Sequence, residues 1–277
     1  MKKHSIALLL LLVLLTGCGA KTEEAPWQTA YRETGKYLQE QDTLSAGSVD
    51  GEWAVIGLSR AGLLSDETAQ SYEQTVEDYV KQAGSVRLHH AKSTENSRTI
   101  LGLTAAGYNA ANMAGVDLTA GLTDMAYLRA QGTNGPIWAL IALDCHCYDI
   151  PQCADGEEQT TREGLVAEIL SYQCSDGGWA LMGDESDVDM TAMALTSLAP
   201  YQEETDIKAA VDAALTYLSD AQQADGGFMS WGAANSESCA QVIVALTALG
   251  IDPAAASRPA GRPVRLCLRG RRLPSQR

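Results

Sequence analysis

Basic side chains and aromatics are scarce in this sequence. Of 277 residues only 20 are Lys or Arg, against 35 Asp or Glu, and the formal net charge is −15 at pH 7. That balance excludes a nucleic-acid partner, which would need clustered Lys and Arg to neutralise phosphates. There is a single Phe, Phe228, and aromatics make up 6% of the chain. Ala, Gly and Leu dominate instead, a composition that suits closely packed helices. With 45% hydrophobic and 20% charged residues, the chain can bury a core of one large domain or two small ones.

The two ends differ from the middle. Lys2 and Lys3 precede an apolar run from Ile6 to Leu15. This is a secretory signal pattern, and the run is short of the ~20 residues a spanning helix needs. It closes on Leu15-Thr16-Gly17-Cys18, which resembles a bacterial lipoprotein signal. The resemblance implies removal of residues 1–17, lipidation of Cys18, a polar tether over 18–26 and an extracytoplasmic protein anchored to the cell membrane. The alternative is a plain signal peptide with an incidental Cys. At the other end, Arg258, Arg262, Arg265, Arg269, Arg271, Arg272 and Arg277 give seven arginines in twenty residues, against six in the preceding 257. No helical or strand period runs through them. One reading is a basic arm for an anionic surface. The expectation adopted is a frame-shifted or truncated gene end, with residues 253–277 non-native or disordered.

Between the ends, one shape recurs five times, in segments 52–62, 97–107, 136–146, 190–200 and 240–250. Each is apolar nearly all round, with an anchor leucine at Leu58, Leu103, Leu143, Leu195 or Leu246. Amphipathic segments lie between them, among them one starting at Ser65 as N-cap, with Asp66 and Glu67 in its first turn. Others are 118–131, the stretch from Thr161, and the stretch from Asp206. The physical solution is a row of hairpins, with buried inner helices flanked by half-exposed outer ones.

Two short motifs punctuate that row. Gln173-x3-Gly177-x-Trp179 and Gln222-x3-Gly226-x-Phe228 resemble the QW motifs of triterpene cyclases. With the hairpin period, residues 27–252 resemble the α/α-toroid superfamily of squalene–hopene cyclases, protein prenyltransferase β subunits and the intrinsic-factor group. The resemblance implies an all-α toroid, with about five of its six hairpins present. A missing pair would leave apolar inner faces unpaired and favour self-association.

Asp187-Val188-Asp189-Met190-Thr191-Ala192 resembles the DxDDTA motif of squalene–hopene-type cyclases, in which the third residue protonates an alkene. Asp187 and Asp189 match the first and third positions, and Met190 stands where a further Asp is expected. The resemblance makes these two carboxylates the catalytic candidates, with Asp189 as general acid. The structural alternative is that they cap a helix and solvate its rim. Prenyltransferases also bind zinc through Asp-x-Cys and a later His. Here Glu237-Ser238-Cys239 has no His after it, so that site is incomplete. Cys145, His146, Cys147 and Cys153 form a second zinc candidate, with Cys174 nearby; disulfides among Cys147, Cys153 and Cys174 are the alternative. Trp53, Trp138 and Trp231 recur near inner-helix starts and are candidates to line a ligand cavity, whereas Trp179 reads as a structural staple.

Together these readings point to a membrane-anchored, non-catalytic repeat protein. It would bind an apolar, isoprenoid-like or corrinoid-like ligand, or a protein partner. A terpenoid-cyclase-like enzyme and a scaffold without ligand are the alternatives.

Overall fold

The computed structural model of this chain describes residues 26–41, 44–230 and 232–253. The chain divides into two units, Met1–Glu40 and Gln41–Arg277. The described part of the first is a helix, α1 (Pro26–Gln39), with Lys36 in its last turn. A cation there complements the negative end of the helix dipole.

The second unit contains α2 (Val49–Ala61), α3 (Asp66–Ala83), α4 (Ser93–Ala106), α5 (Met125–Arg129), α6 (Asn134–Asp144), α7 (Arg162–Ser171), α8 (Val188–Leu198), α9 (Thr205–Ala221) and α10 (Ser236–Ala248). Three short 3-10 turns and a two-residue hairpin, β1 (Met229–Ser230) with β2 (Ala233–Ala234), accompany them. The fold is therefore all-α, as the periodicity predicts.

Local chemistry sets the outer helices. Ser65 accepts the Thr68 N–H at 3.0 Å and caps α3, while Gly84 closes it at φ +59°. Ala69, Tyr72, Val76 and Val80 form its buried stripe, spaced three and four residues apart. The inner helices are α2, α4, α6, α8 and α10, and each packs on the next. The outer helices lie against them, α3 on α4, α7 on α6 and α9 on α8. Leu58, Leu103, Leu143 and Leu195 are at most 1% exposed. Each contributes on the order of 2–3 kcal/mol of apolar burial. The fifth anchor, Leu246, is only half-buried. Its helix α10 presents Ile243 and Val244 at 51% exposure each.

One predicted helix is broken. Residues 118–131 form a 3-10 turn over Leu118–Leu122 and then the short α5. The Asp117 and Asp124 side chains cap these two pieces separately, accepting from the Thr119 and Ala126 N–H groups. Gly121 lies so close to α4 that a Cβ there would sit 2.2 Å from the Asn96 amide nitrogen. A continuous helix would abandon both caps and that approach.

Candidate functional site

The two glycine motifs build the same turn twice. The Gln173 side-chain amide donates to the Gly177 carbonyl at 2.9 Å, and that of Gln222 donates to the Gly226 carbonyl at 3.0 Å. Asp176 accepts the Gly178 N–H at 3.0 Å, and Asp225 accepts the Gly227 N–H at 2.9 Å. Gly177 and Gly226 stand at φ +90° and +86°, a region L side chains avoid. The Asp187 N–H then donates to the Trp179 carbonyl, and the Asn235 N–H to the Phe228 carbonyl. Trp179 is fully buried, and its indole N–H donates to the Ile169 carbonyl of α7 at 2.7 Å. Gln173 also donates to the Ala210 carbonyl of α9 at 2.9 Å. This motif joins an outer helix to the next inner one and ties the following outer helix to both.

The repeat also explains the carboxylate pair. Asp187 and Asn235 occupy equivalent places, and both cap an inner helix: Asp187 accepts the Met190 N–H at 2.8 Å, and Asn235 accepts from Glu237 and Ser238. Asp189 and Glu237 follow two residues later, each an acid in the first helical turn, where the dipole favours negative charge. Burial pushes the Asp187 pKa up, with the Asp189 charge adding to the shift and the Met190 N–H opposing it. Asp189 differs in one respect: its Oδ1 is buried with no hydrogen-bond partner. Thr191, in the same motif, accepts the Trp179 N–H at 2.9 Å and donates to the Asp187 carbonyl at 2.7 Å.

The inner helices converge on one concavity of about 250 Å³. Trp53 reaches it from α2, Thr94 and Arg98 from α4, Asn134 and Trp138 from α6, Met193 from α8 and Gln241 from α10. All seven lie in the first two turns of their helices. Trp53 and Trp138 meet there with ring centroids 5.2 Å apart and planes tilted by 57°. Trp53 keeps 38% of its surface exposed, so the concavity is open to solvent. Trp231, the third tryptophan candidate, lies outside the described residues, as do Cys18 and residues 254–277.

Arg98 is bound by two carboxylates at this concavity. Its Nε donates to Glu52 at 3.1 Å and its Nη2 to Glu95 at 2.6 Å. Glu52 is fully buried and also accepts the Gly47 N–H at 2.7 Å. Burial pushes the Glu52 pKa up, opposed by the Gly47 N–H and the Arg98 charge. A Cβ on Gly102 would stand 2.3 Å from the Tyr72 hydroxyl, so glycine there lets α3 close over the cluster. With two carboxylates on one guanidinium, this cluster carries no surplus positive charge.

The cysteine cluster does not assemble. Cys145 is buried at the end of α6 and donates to the Ala142 carbonyl at 3.2 Å; burial raises its thiol pKa to about 12. His146 and Cys147 line a separate depression of about 460 Å³ with Asn109, Asp117 and Asp149. Cys153 instead contacts the Glu157 carbonyl. Among the described residues no three His, Cys, Asp or Glu side chains are grouped so as to hold a metal ion, and no cysteine is in a disulfide.

Sequence reasoning places Trp53 and Trp138 at this site and misses Thr94, Arg98, Asn134 and Gln241. The signal was present. Arg98, Trp138, Met193 and Gln241 occupy the fifth or sixth position of successive inner helices. Their shared position becomes visible when the repeats are aligned on helix starts rather than on anchor leucines.

Comparison of the chain with protein-family models, with curated proteins and with solved structures finds no match. Among the described residues no helix is long and apolar enough to cross a membrane.

Proposed function

We propose that this protein is a membrane-anchored, extracytoplasmic binding module whose helical hairpins form an α/α toroid, and that its ligand seats in the concavity at Trp53 and Trp138. The observation that carries this reading is that five successive inner helices all send side chains from their first two turns into one open space. A packed scaffold has no need of a solvent-open tryptophan pair there. The volume lies just under the roughly 300–1,000 Å³ usual for ligand pockets. It suits a small molecule or one end of a larger one. No step of chemistry is required, because the two candidate catalytic carboxylates already have the cap and first-turn roles that the second repeat reproduces with Asn235 and Glu237.

Native mass spectrometry of the purified mature protein tests the reading. A co-purifying small molecule that is lost on Trp53→Ala with Trp138→Ala supports it; an empty wild-type protein that binds nothing from a metabolite extract refutes it. The anchor is tested separately, by incorporation of a labelled fatty acid that Cys18→Ala abolishes.

One observation favours a second reading, a terpenoid-cyclase-like enzyme. Asp189 keeps a buried, unpartnered carboxylate oxygen one turn before Met193 of the concavity. Turnover of a polyprenyl substrate that Asp189→Asn abolishes would establish it.

A further inference from the structure

The side chains around the concavity specify more than its existence. Four of the seven lining residues are polar: Thr94, Arg98, Asn134 and Gln241. Arg98 is already bonded to Glu52 and Glu95, and Thr94 to Gln131, but a hydrocarbon chain would desolvate the Asn134 and Gln241 amides without offering them a partner. A polar ligand that lacked an apolar face would waste the tryptophan pair. A strongly anionic ligand would meet a guanidinium already bound by Glu52 and Glu95, with Asp189 and Glu237 in the first turns of α8 and α10.

We infer that the concavity takes a neutral, hydroxyl-rich ring compound, of which a saccharide is the chemical class that fits. A pyranose has one face of C–H groups, which packs on an aromatic ring, and an equator of hydroxyls that both donate and accept. Trp53 and Trp138 supply the stacking surface, tilted 57° to each other and open on one side. The Asn134 and Gln241 side chains each carry a carbonyl acceptor and an NH2 donor, the pairing that adjacent hydroxyls satisfy. Thr94 Oγ1 accepts from the Gln131 amide at 3.1 Å and keeps its own proton to donate. Arg98 keeps Nη1 clear of the donors that hold Glu52 and Glu95, and its planar fork is fixed by those two bonds. A volume of about 250 Å³ suits a single sugar ring seated at the end of a longer chain.

This inference rests on the binding-module reading, and one titration separates the two. The intact protein is titrated with cellotriose, maltotriose and chitotriose, and in parallel with farnesol as an apolar probe and phenylacetate as an anionic one. Tryptophan fluorescence and saturation-transfer NMR are the readouts. We expect a saturable response to at least one trisaccharide, with sugar ring protons receiving saturation. Asn134→Ala and Gln241→Ala should each weaken it about ten-fold, with an unchanged circular dichroism spectrum. Saturable binding of farnesol or phenylacetate, with no trisaccharide bound, overturns the saccharide inference and leaves the binding module standing. Silence towards all five probes overturns the saccharide inference, and an empty protein by native mass spectrometry then refutes the module as well.

Discussion

Replacing Trp179 tests the staple on which the positioning of α8 depends. The side chain is fully buried, and its indole N–H is bonded to the Ile169 carbonyl at 2.7 Å. Trp179→Ala removes the whole ring, a change that costs about 3–5 kcal/mol in a core that cannot collapse. Trp179→Phe is milder, because Phe228 fills the equivalent place in the second repeat beneath the same backbone turn. It keeps an aromatic core and removes only the indole bond, since the Ile169 carbonyl still accepts the Tyr172 N–H at 3.2 Å, at about 0.5–1.5 kcal/mol. In urea, with m near the upper end of the small-protein range at roughly 3 kcal/mol/M, the midpoints should fall by about 1–1.7 M for Ala and by about 0.2–0.5 M for Phe. Circular dichroism at 222 nm measures both shifts. The reasoning fails if the Phe variant unfolds with the wild type, since the indole bond would then contribute nothing, or if the two variants are equally destabilised.

Three further outcomes follow from the same geometry. Gly177→Ala should cost well over 1 kcal/mol more than Gly226→Ala by denaturant midpoint: both pay for positive φ, but only at Gly177 does the new Cβ approach the Ala213 carbonyl oxygen, at 2.9 Å, while nothing lies within 4 Å at Gly226. Asp187→Ala should cost about 1 kcal/mol through loss of the α8 cap, and Asp187→Asn almost nothing, as the natural cap Asn235 implies; a larger loss with Asn would mean that the charge, not the cap, is needed. Because burial raises the Glu52 pKa in the folded chain, its proton stabilises the fold fully below the unfolded carboxylate pKa of about 4.3, and this is lost as pH rises through the folded value. Wild-type stability should therefore fall relative to Glu52→Gln between pH 4 and pH 7, and a difference independent of pH would count against a strained, ionised Glu52.

How much of this was legible in the sequence depended on range. Caps and periods are local, so Ser65 at the start of α3, the paired glycine turns and the outer–inner alternation could all be read directly. The break at Thr123 and Asp124 could not, because a continuous 118–131 helix satisfies the same apolar spacing. Besides the Asp124 cap, what disfavours it is the approach of Gly121 to Asn96, 25 residues earlier in the chain. The concavity was half legible. Tryptophans near inner-helix starts stand out by type, but Asn134 and Gln241 are ordinary polar residues until several helices are brought to one place.

The same contrast decides how Asp187 and Asp189 are best understood. A motif resemblance weighs two carboxylates by their neighbours in sequence, and by that measure they look like an acid site. The repeat weighs them by their counterparts one hairpin on, where the first is an amide that cannot donate an acidic proton. Asn235 keeps the cap without the charge, so the cap is the shared requirement at that position. Asp189 is the one carboxylate whose surroundings exceed what a cap and a dipole need, since one of its oxygens is buried without a partner. Asp189 itself does not line the concavity, although Met193, one turn on, does. Asp189→Asn is the informative variant: should it leave ligand affinity unchanged and cost only the roughly 0.3–1 kcal/mol of a first-turn charge, the acid serves the helix, and α8 contributes to the concavity through Met193 alone.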